Sequence, residues 1–377
     1  MSHPSVRDFG SRDNNFNLLR LIAASAVLVS HAYPLSLGAG TPEPLSASLS
    51  VSLGALAVIS FFIISGFFIS QSFDNSSSIL GFAVARILRI YPALIAVLLL
   101  TTLVIGPLFT RLSPWEFFFN TETLLYVPRN LSLKWLQYGL PGVFDHNPYP
   151  DAINGSLWTL VYEVTCYALV ASLGVFGTAN RNWIFRIFFL LYVLAYFAVP
   201  TSASLRAFVT DHPFFETLRE LSFPFVFGML IYRGRKALLP QLSFLMCVGA
   251  GAATIVASQT LLFREVLILS WGLLLFYVGY LPVKPLRRYN RLGDYSYGMY
   301  IYAFPCEQVI VYLWNGVSAI ALTATSFPIT LGLAVLSWHF VEQPVLARKK
   351  IATAWVQRSC SAFRSERTPE NKKHIEM

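Results

Sequence analysis

Long apolar runs separated by short polar stretches recur along almost the whole chain. Most are long enough, at about 1.5 Å per helical residue, to cross the ~30 Å hydrocarbon core of a bilayer. Lipid offers a backbone N–H or C=O no partner outside its own segment, so each run is expected to be a helix. The pattern predicts an all-α, polytopic transmembrane bundle of about ten spans, near residues 16–36, 50–72, 82–105, 156–175, 183–200, 217–233, 241–258, 262–281, 295–314 and 320–341. An even number of spans places both termini on one side.

The polar positions between the runs set the orientation. Arg7, Arg12, Arg86, Arg89, Arg181, Arg186, Arg233, Arg235, Lys236, Lys284, Arg287, Arg288, Arg291, Arg348, Lys349 and Lys350 fall on the side of the termini, against Arg111, Arg129, Lys134, Arg206, Arg219 and Arg264 on the other. Cytoplasmic loops carry the excess of Lys and Arg, so both termini are expected in the cytoplasm. The first span is too long for a cleaved signal and lacks a small-residue cleavage site. Residues 1–350 read as one transmembrane domain, and 351–377 as a cytoplasmic tail too polar to build a core, disordered by default. The 106–155 connection faces outward and holds Trp115, Phe117, Phe118, Phe119, Tyr126, Trp135, Tyr138 and Tyr149. These rings suit either an interfacial aromatic belt or the stacking of sugar rings in an acceptor cleft.

Composition agrees with this picture. Apolar residues make up 55% of the chain and charged residues 12%, too apolar a balance for a soluble surface. The net charge of +9 sits in clusters between spans, which fits membrane topology and argues against nucleic acid. Cys166, Cys247 and Cys306 lie in apolar runs and Cys360 in the tail, with no disulfide framework and no metal-ligand spacing.

Ionisable residues inside the spans are the candidate chemistry, because a charge at the bilayer centre costs about 2.5–3.5 kcal/mol. The first span carries Arg20 and His31, eleven residues apart. At 100° per residue they fall within about 20° of one helix face, roughly 16 Å apart along the axis. Glu163 interrupts the fourth span about 10 Å from its outer end, and His31 lies about 8 Å from the outer end of its own. A carboxylate beside an imidazole raises its basicity and fixes its tautomer, so the two read as a catalytic pair; an alternative partner for Glu163 is an arginine. Arg86 and Arg89, three residues apart, share a face at the cytoplasmic start of the third span and suit a phosphate, or serve only as topology markers. The run DYSYGMYIYAFP concentrates the hydroxyls of Tyr295, Ser296, Tyr297, Tyr300 and Tyr302, which line a polar cavity or anchor at the interface.

Together these residues resemble the membrane-bound acyltransferase family 3, which contains bacterial acetylases of O-antigen, exopolysaccharide and nodulation factor. The likeness spans Asn15 to about Lys350. Its most specific element is a basic residue followed, after ten others, by a histidine, matched by Arg20 and His31; the family's R-x-x-R pair corresponds to Arg86 and Arg89. Weaker matches are SFFIISGFFIS around Ser65 and Gly66, NGSLWTLVYEV with Glu163, SYGMYIY, and HFVEQPVLARK. Ala303 departs from relatives that place a second histidine there, which leaves His31 as the candidate base. Some relatives continue into an extracytoplasmic hydrolase-like domain, for which nothing after Lys350 is suited.

The resemblance implies acetyl-CoA or another acyl-CoA as donor substrate, no permanently bound cofactor, and a carbohydrate or glycolipid acceptor in a bacterial inner membrane. Arg20, Arg86 and Arg89 would hold the donor's phosphates. His31, oriented by Glu163, would deprotonate the acceptor hydroxyl or be acylated first. The competing class is a transporter or flippase for a glycan or lipid-linked sugar, for which no repeat between the halves of the chain is found. A purely structural membrane protein is a third reading, disfavoured by Arg20, His31 and Glu163 inside the spans.

Overall fold

The computed structural model describes residues 14–76, 78–176 and 181–366. Arg7 and Arg12 lie outside the described residues. All ten apolar segments are helical: α1 (Phe16–Leu37), α2 (Leu53–Asp74), α3 (Ile79–Phe109), α4 (Thr121–Leu131, in the long connection), α5 (Leu160–Phe176), α6 (Arg181–Thr201), α7 (Pro213–Leu238), α8 (Phe244–Val256), α9 (Phe263–Tyr280), α10 (Ser296–Leu313) and α11 (Ala319–Ala347), followed by α12 (Lys349–Glu366). Only a single isolated β-bridge, Thr110 to Val143, occurs among the described residues. Serine side chains cap several starts, as Ser52 does for α2, Ser78 for α3 and Ser318 for α11.

Among the described residues, seven helices are long and apolar enough to span a bilayer, fewer than the ten expected. The difference has three sources. Helices α7 and α8 meet at a 115° bend and satisfy the test only together. The 13 residues of α8 reach about 20 Å, short of the hydrocarbon thickness. Helix α10 is more polar, which its position allows: it is enclosed by α1, α3 and α11 and buries Ser296, Glu307 and Gln308. Elsewhere large apolar side chains point outward, among them Leu190, Leu191 and Leu194 of α6 and Leu245 of α8, as lipid-facing helices require.

Helix α1 is the hub, packing on α2, α10 and α11. Its start is pinned to the end of α9: the Asn15 N–H donates to the Gly279 carbonyl at 2.8 Å, and its side-chain amide donates to Val278 and Leu281. Helices α2 and α7 cross at two reciprocal glycines. A Cβ on Gly66 would lie 1.9 Å from the Phe225 carbonyl oxygen, and one on Gly228 would lie 2.1 Å from that of Ile63. Helix α12 corrects the expected unstructured tail as far as Glu366. It packs on the start of α3, where Gln357 donates to the Ser78 hydroxyl at 3.1 Å. Two ends can now be distinguished: a basic end, with Arg20, Arg86, Arg89, Arg233 and Arg287, and a loop end, covered by residues 106–155.

Candidate functional site

A cavity of about 710 Å³ opens among α1, α2, α3, α5, α10 and α11 near the basic end, lined in part by Arg20, Arg86, Arg89, Glu163, Asp294 and Tyr297. Its three arginines are not equivalent. Arg89 is held by two carboxylates: Nη2 lies 2.6 Å from Asp294 Oδ2 and Nη1 lies 3.2 Å from Glu342 Oε2. Its guanidinium also sits 5.8 Å from the ring centres of Tyr297 and of Trp338. Trp338 and Glu342 bracket a π-helical turn in α11, whose extra residue re-aims the side chains around it toward Arg89. Arg20 shares Asp294 at 3.7 Å and lies 5.5 Å from the ring of Phe68.

Among the described residues, Arg86 has no carboxylate within ion-pairing distance. Its Nη2 donates to the Ser72 hydroxyl at 3.3 Å, while Nε is buried without a partner. Asp294, just outside α10, also accepts from Ser296. Burial opposes its ionisation, but Arg89, Arg20 and the Ser296 hydrogen bonds together offset that and hold its carboxyl below the usual aspartate range. At the start of α12, burial and the charge of Arg86 both lower the affinity of Lys349 for its proton.

Glu163 belongs to this cavity. It accepts hydrogen bonds from the Tyr167 hydroxyl, one turn along α5, and from Ser65 Oγ at 3.4 Å.

His31 lies in a second cavity, also about 710 Å³, toward the loop end, with Glu43, Tyr138, Tyr149, Asp151, Trp158 and Phe304 in its walls. The imidazole meets the Phe304 ring edge-on at 5.4 Å, and its Nδ1 is buried without a hydrogen-bond partner. Ser30, the residue before His31, donates to Glu43 and accepts from the Gly54 N–H at 2.8 Å, which ties the 40–54 loop to α1. Burial, with Tyr162 and Tyr149 nearby, raises the pKa of the Tyr138 phenol.

The expected pairing of His31 with Glu163 is therefore not what the structure holds. The reason is the path of the chain before α5. Asn147 donates to Gln308, Asn154 to the Ile301 carbonyl, and Thr159 bonds the Tyr300 hydroxyl at 2.7 Å, so residues 147–159 descend into the bundle and α5 starts deep within it. Phe304, beside His31, lies one helical turn past Tyr300, and Glu163 lies a turn beyond Thr159 in the opposite direction. That separates the two groups by on the order of 10 Å along the bundle axis. The shared face of Arg20 and His31 does hold: both meet the α10 region, Arg20 at Asp294 and His31 at Phe304. The cavities have no lining residue in common; Thr159 and Tyr300 border the first, Trp158 and Phe304 the second.

The aromatic residues of the long connection divide. Phe117 and Tyr126 are buried core, Trp115, Phe119 and Trp135 are exposed, and Tyr138 and Tyr149 line the His31 cavity. Ser296, Tyr297 and Tyr300 of the hydroxyl-rich run line the arginine cavity. Sequence reasoning missed Glu43, Asp294 and Glu342. The last two carry the signal that singled out Glu163, a carboxylate in or abutting an apolar span; Glu43, in a proline-flanked loop, carries none.

The sequence pattern of a family described as an acyltransferase domain matches residues 13–339. The chain is 32% identical over 344 residues to an "O-acetyl transferase" of Shigella phage Sf6, covering 89% of this chain and 97% of that protein. It is also 32% identical over 395 residues to "Nodulation protein 10" of Rhizobium leguminosarum bv. viciae, covering 95% and 99%. No solved structure is a significant match.

Proposed function

Because the chain belongs to the membrane-bound acyltransferase family 3, and is thus a multi-pass membrane acyltransferase, we propose that it moves an acetyl or other short acyl group from acyl-CoA to a carbohydrate hydroxyl. The basic end faces the cytoplasm, where acyl-CoA is made, in a bacterial inner membrane with both termini inside. The donor is a substrate, not a resident cofactor.

The observation that carries this reading is the pairing of two unsatisfied groups. Arg86 is a half-buried guanidinium, its Nε buried without a partner and, among the described residues, with no carboxylate in ion-pairing range, in one cavity, and His31 has an unpartnered ring nitrogen in the next. Arg86 and Arg20 receive the donor's phosphates, for which a planar guanidinium is better suited than an ammonium. Arg89 holds the frame through Asp294 and Glu342. Glu163 sets Tyr167 and the field around Arg86 on the donor side.

At His31 the imidazole accepts the proton of the acceptor hydroxyl as its oxygen attacks the thioester carbonyl carbon. The C–S bond breaks and the coenzyme leaves as a thiolate, which takes up a proton. Glu43 supports the imidazolium formed in between. In the two-step variant the ring nitrogen is acylated first, and ping-pong kinetics distinguish it.

The test uses purified protein in detergent micelles, with no closed compartment. Release of free coenzyme thiol that depends on acetyl-CoA and a glycan acceptor is expected, and His31→Ala should abolish it while eluting as the same folded species. A carrier would consume no acyl-CoA, and full turnover by His31→Ala would remove the assignment.

A further inference from the structure

From the walls of the His31 cavity we infer that the acceptor is a sugar ring without negative charge, so that uronates and phosphosugars are turned away. This rests on the reading of His31 as the acceptor-side base. The cavity combines three rings, Tyr138, Tyr149 and Trp158, with two carboxylates, Glu43 and Asp151, and no Lys or Arg lines it.

The surfaces are held firmly. The Tyr138 carbonyl accepts from the Ile153 N–H at 2.7 Å, and the Tyr149 carbonyl accepts from the Gln308 amide at 2.8 Å, so both ring-bearing segments are fixed to their surroundings. Asp151 sits between them in the left-handed region (φ 57°), and Gly139 leaves room for its carbonyl; a Cβ there would lie 2.5 Å from that oxygen. Asp151 itself is exposed at the mouth.

Such walls fit a pyranose. Its C–H face packs on aromatic rings, and its hydroxyls are donors that ionised carboxylates, acceptors only, can satisfy. A carboxylate or phosphate on the ring would instead meet half-buried Glu43 and, at the mouth, Asp151, with no Lys or Arg lining the cavity to offset them. An amino sugar would be tolerated.

The experiment compares short β-glucan oligosaccharides with their C6-oxidised, uronate counterparts of equal length. Binding to the detergent-solubilised full chain is read by isothermal titration calorimetry, and acetyl transfer from acetyl-CoA is read separately. The neutral ligand should bind about tenfold or more tighter than the uronate. Asp151→Asn should narrow that gap, and Trp158→Ala should weaken the neutral ligand. Equal or tighter binding of the uronate, a gap unmoved by Asp151→Asn, or no binding of either overturns the inference. Selective binding without acyl transfer supports the charge selection and overturns instead the transferase reading on which it rests.

Discussion

Replacing Arg86 and Arg89 one at a time should separate two functions that the R-x-x-R spacing merges. Arg89, with 21% of its side chain exposed, faces Asp294 at 12% and Glu342 at 1%. Arg89→Ala leaves both carboxylates buried, hydrogen-bonded only to serines and, among the described residues, with no cation beyond the 3.7 Å contact from Arg20 to Asp294. Removing one partner of a buried ion pair costs about 3–5 kcal/mol, a large part of the stability of an ordinary domain. Arg86→Ala strands no charge, since among the described residues it hydrogen-bonds the Ser72 hydroxyl and otherwise faces the rings of Phe82 and Tyr167. It should cost charge-assisted bonds to a phosphate, about 1.5–3 kcal/mol, or roughly 10- to 150-fold in donor affinity. The assays are thermal unfolding in detergent, followed by loss of the monodisperse species, and the KM for acetyl-CoA. Arg86→Ala should unfold like the parent with a raised KM. Arg89→Ala should unfold early, with partial recovery in Arg89→Ala/Glu342→Gln. A stable Arg89→Ala protein with the same KM defect as Arg86→Ala would refute this division.

Further outcomes follow from the same geometry. Gly66→Ala places a Cβ against the Phe225 carbonyl, and separating α2 from α7 should cost about 1–3 kcal/mol or more, read as reduced thermal stability in detergent. Glu43→Gln should lower kcat by about 10²-fold with the acyl-CoA KM unchanged, whereas Glu163→Gln should act on that KM; the reverse split would return Glu163 to the side of His31. Asp294 has a folded pKa below its unfolded one, so its contribution is complete above the ordinary value of about 4 and lost as pH falls through the lower folded value. Stability measured between pH 6 and about pH 3 should therefore fall more steeply in the parent than in Asp294→Asn.

The bundle was largely legible in the sequence because lipid forces a one-to-one relation between an apolar run and a helix. Where that relation weakened, the reason was tertiary. Helix α10 is polar because neighbouring helices stand between it and the surroundings, and α8 turns sharply away from α7. In the site, the face shared by Arg20 and His31 followed from helical periodicity alone. The depth of Glu163 did not, because it depends on Asn147, Asn154 and Thr159 finding partners on α10, more than a hundred residues away. Counting residues from the expected outer end of the fourth span assumes that the chain enters at the surface, and here it begins its helix well inside. The inequality of Arg86 and Arg89 was equally hidden, since identical residues at one helix end differ only in what α11 brings against them.

The layer at Thr159 and Tyr300 bears on the energetics of the cell. A bundle pierced from one face to the other by a single wetted bore would short-circuit the ion gradients that a respiring membrane stores. In the proposed transfer the acyl arm itself would thread the Thr159–Tyr300 layer to reach His31, so the layer keeps the two cavities from joining into a continuous bore and the reaction need not drain the proton-motive force.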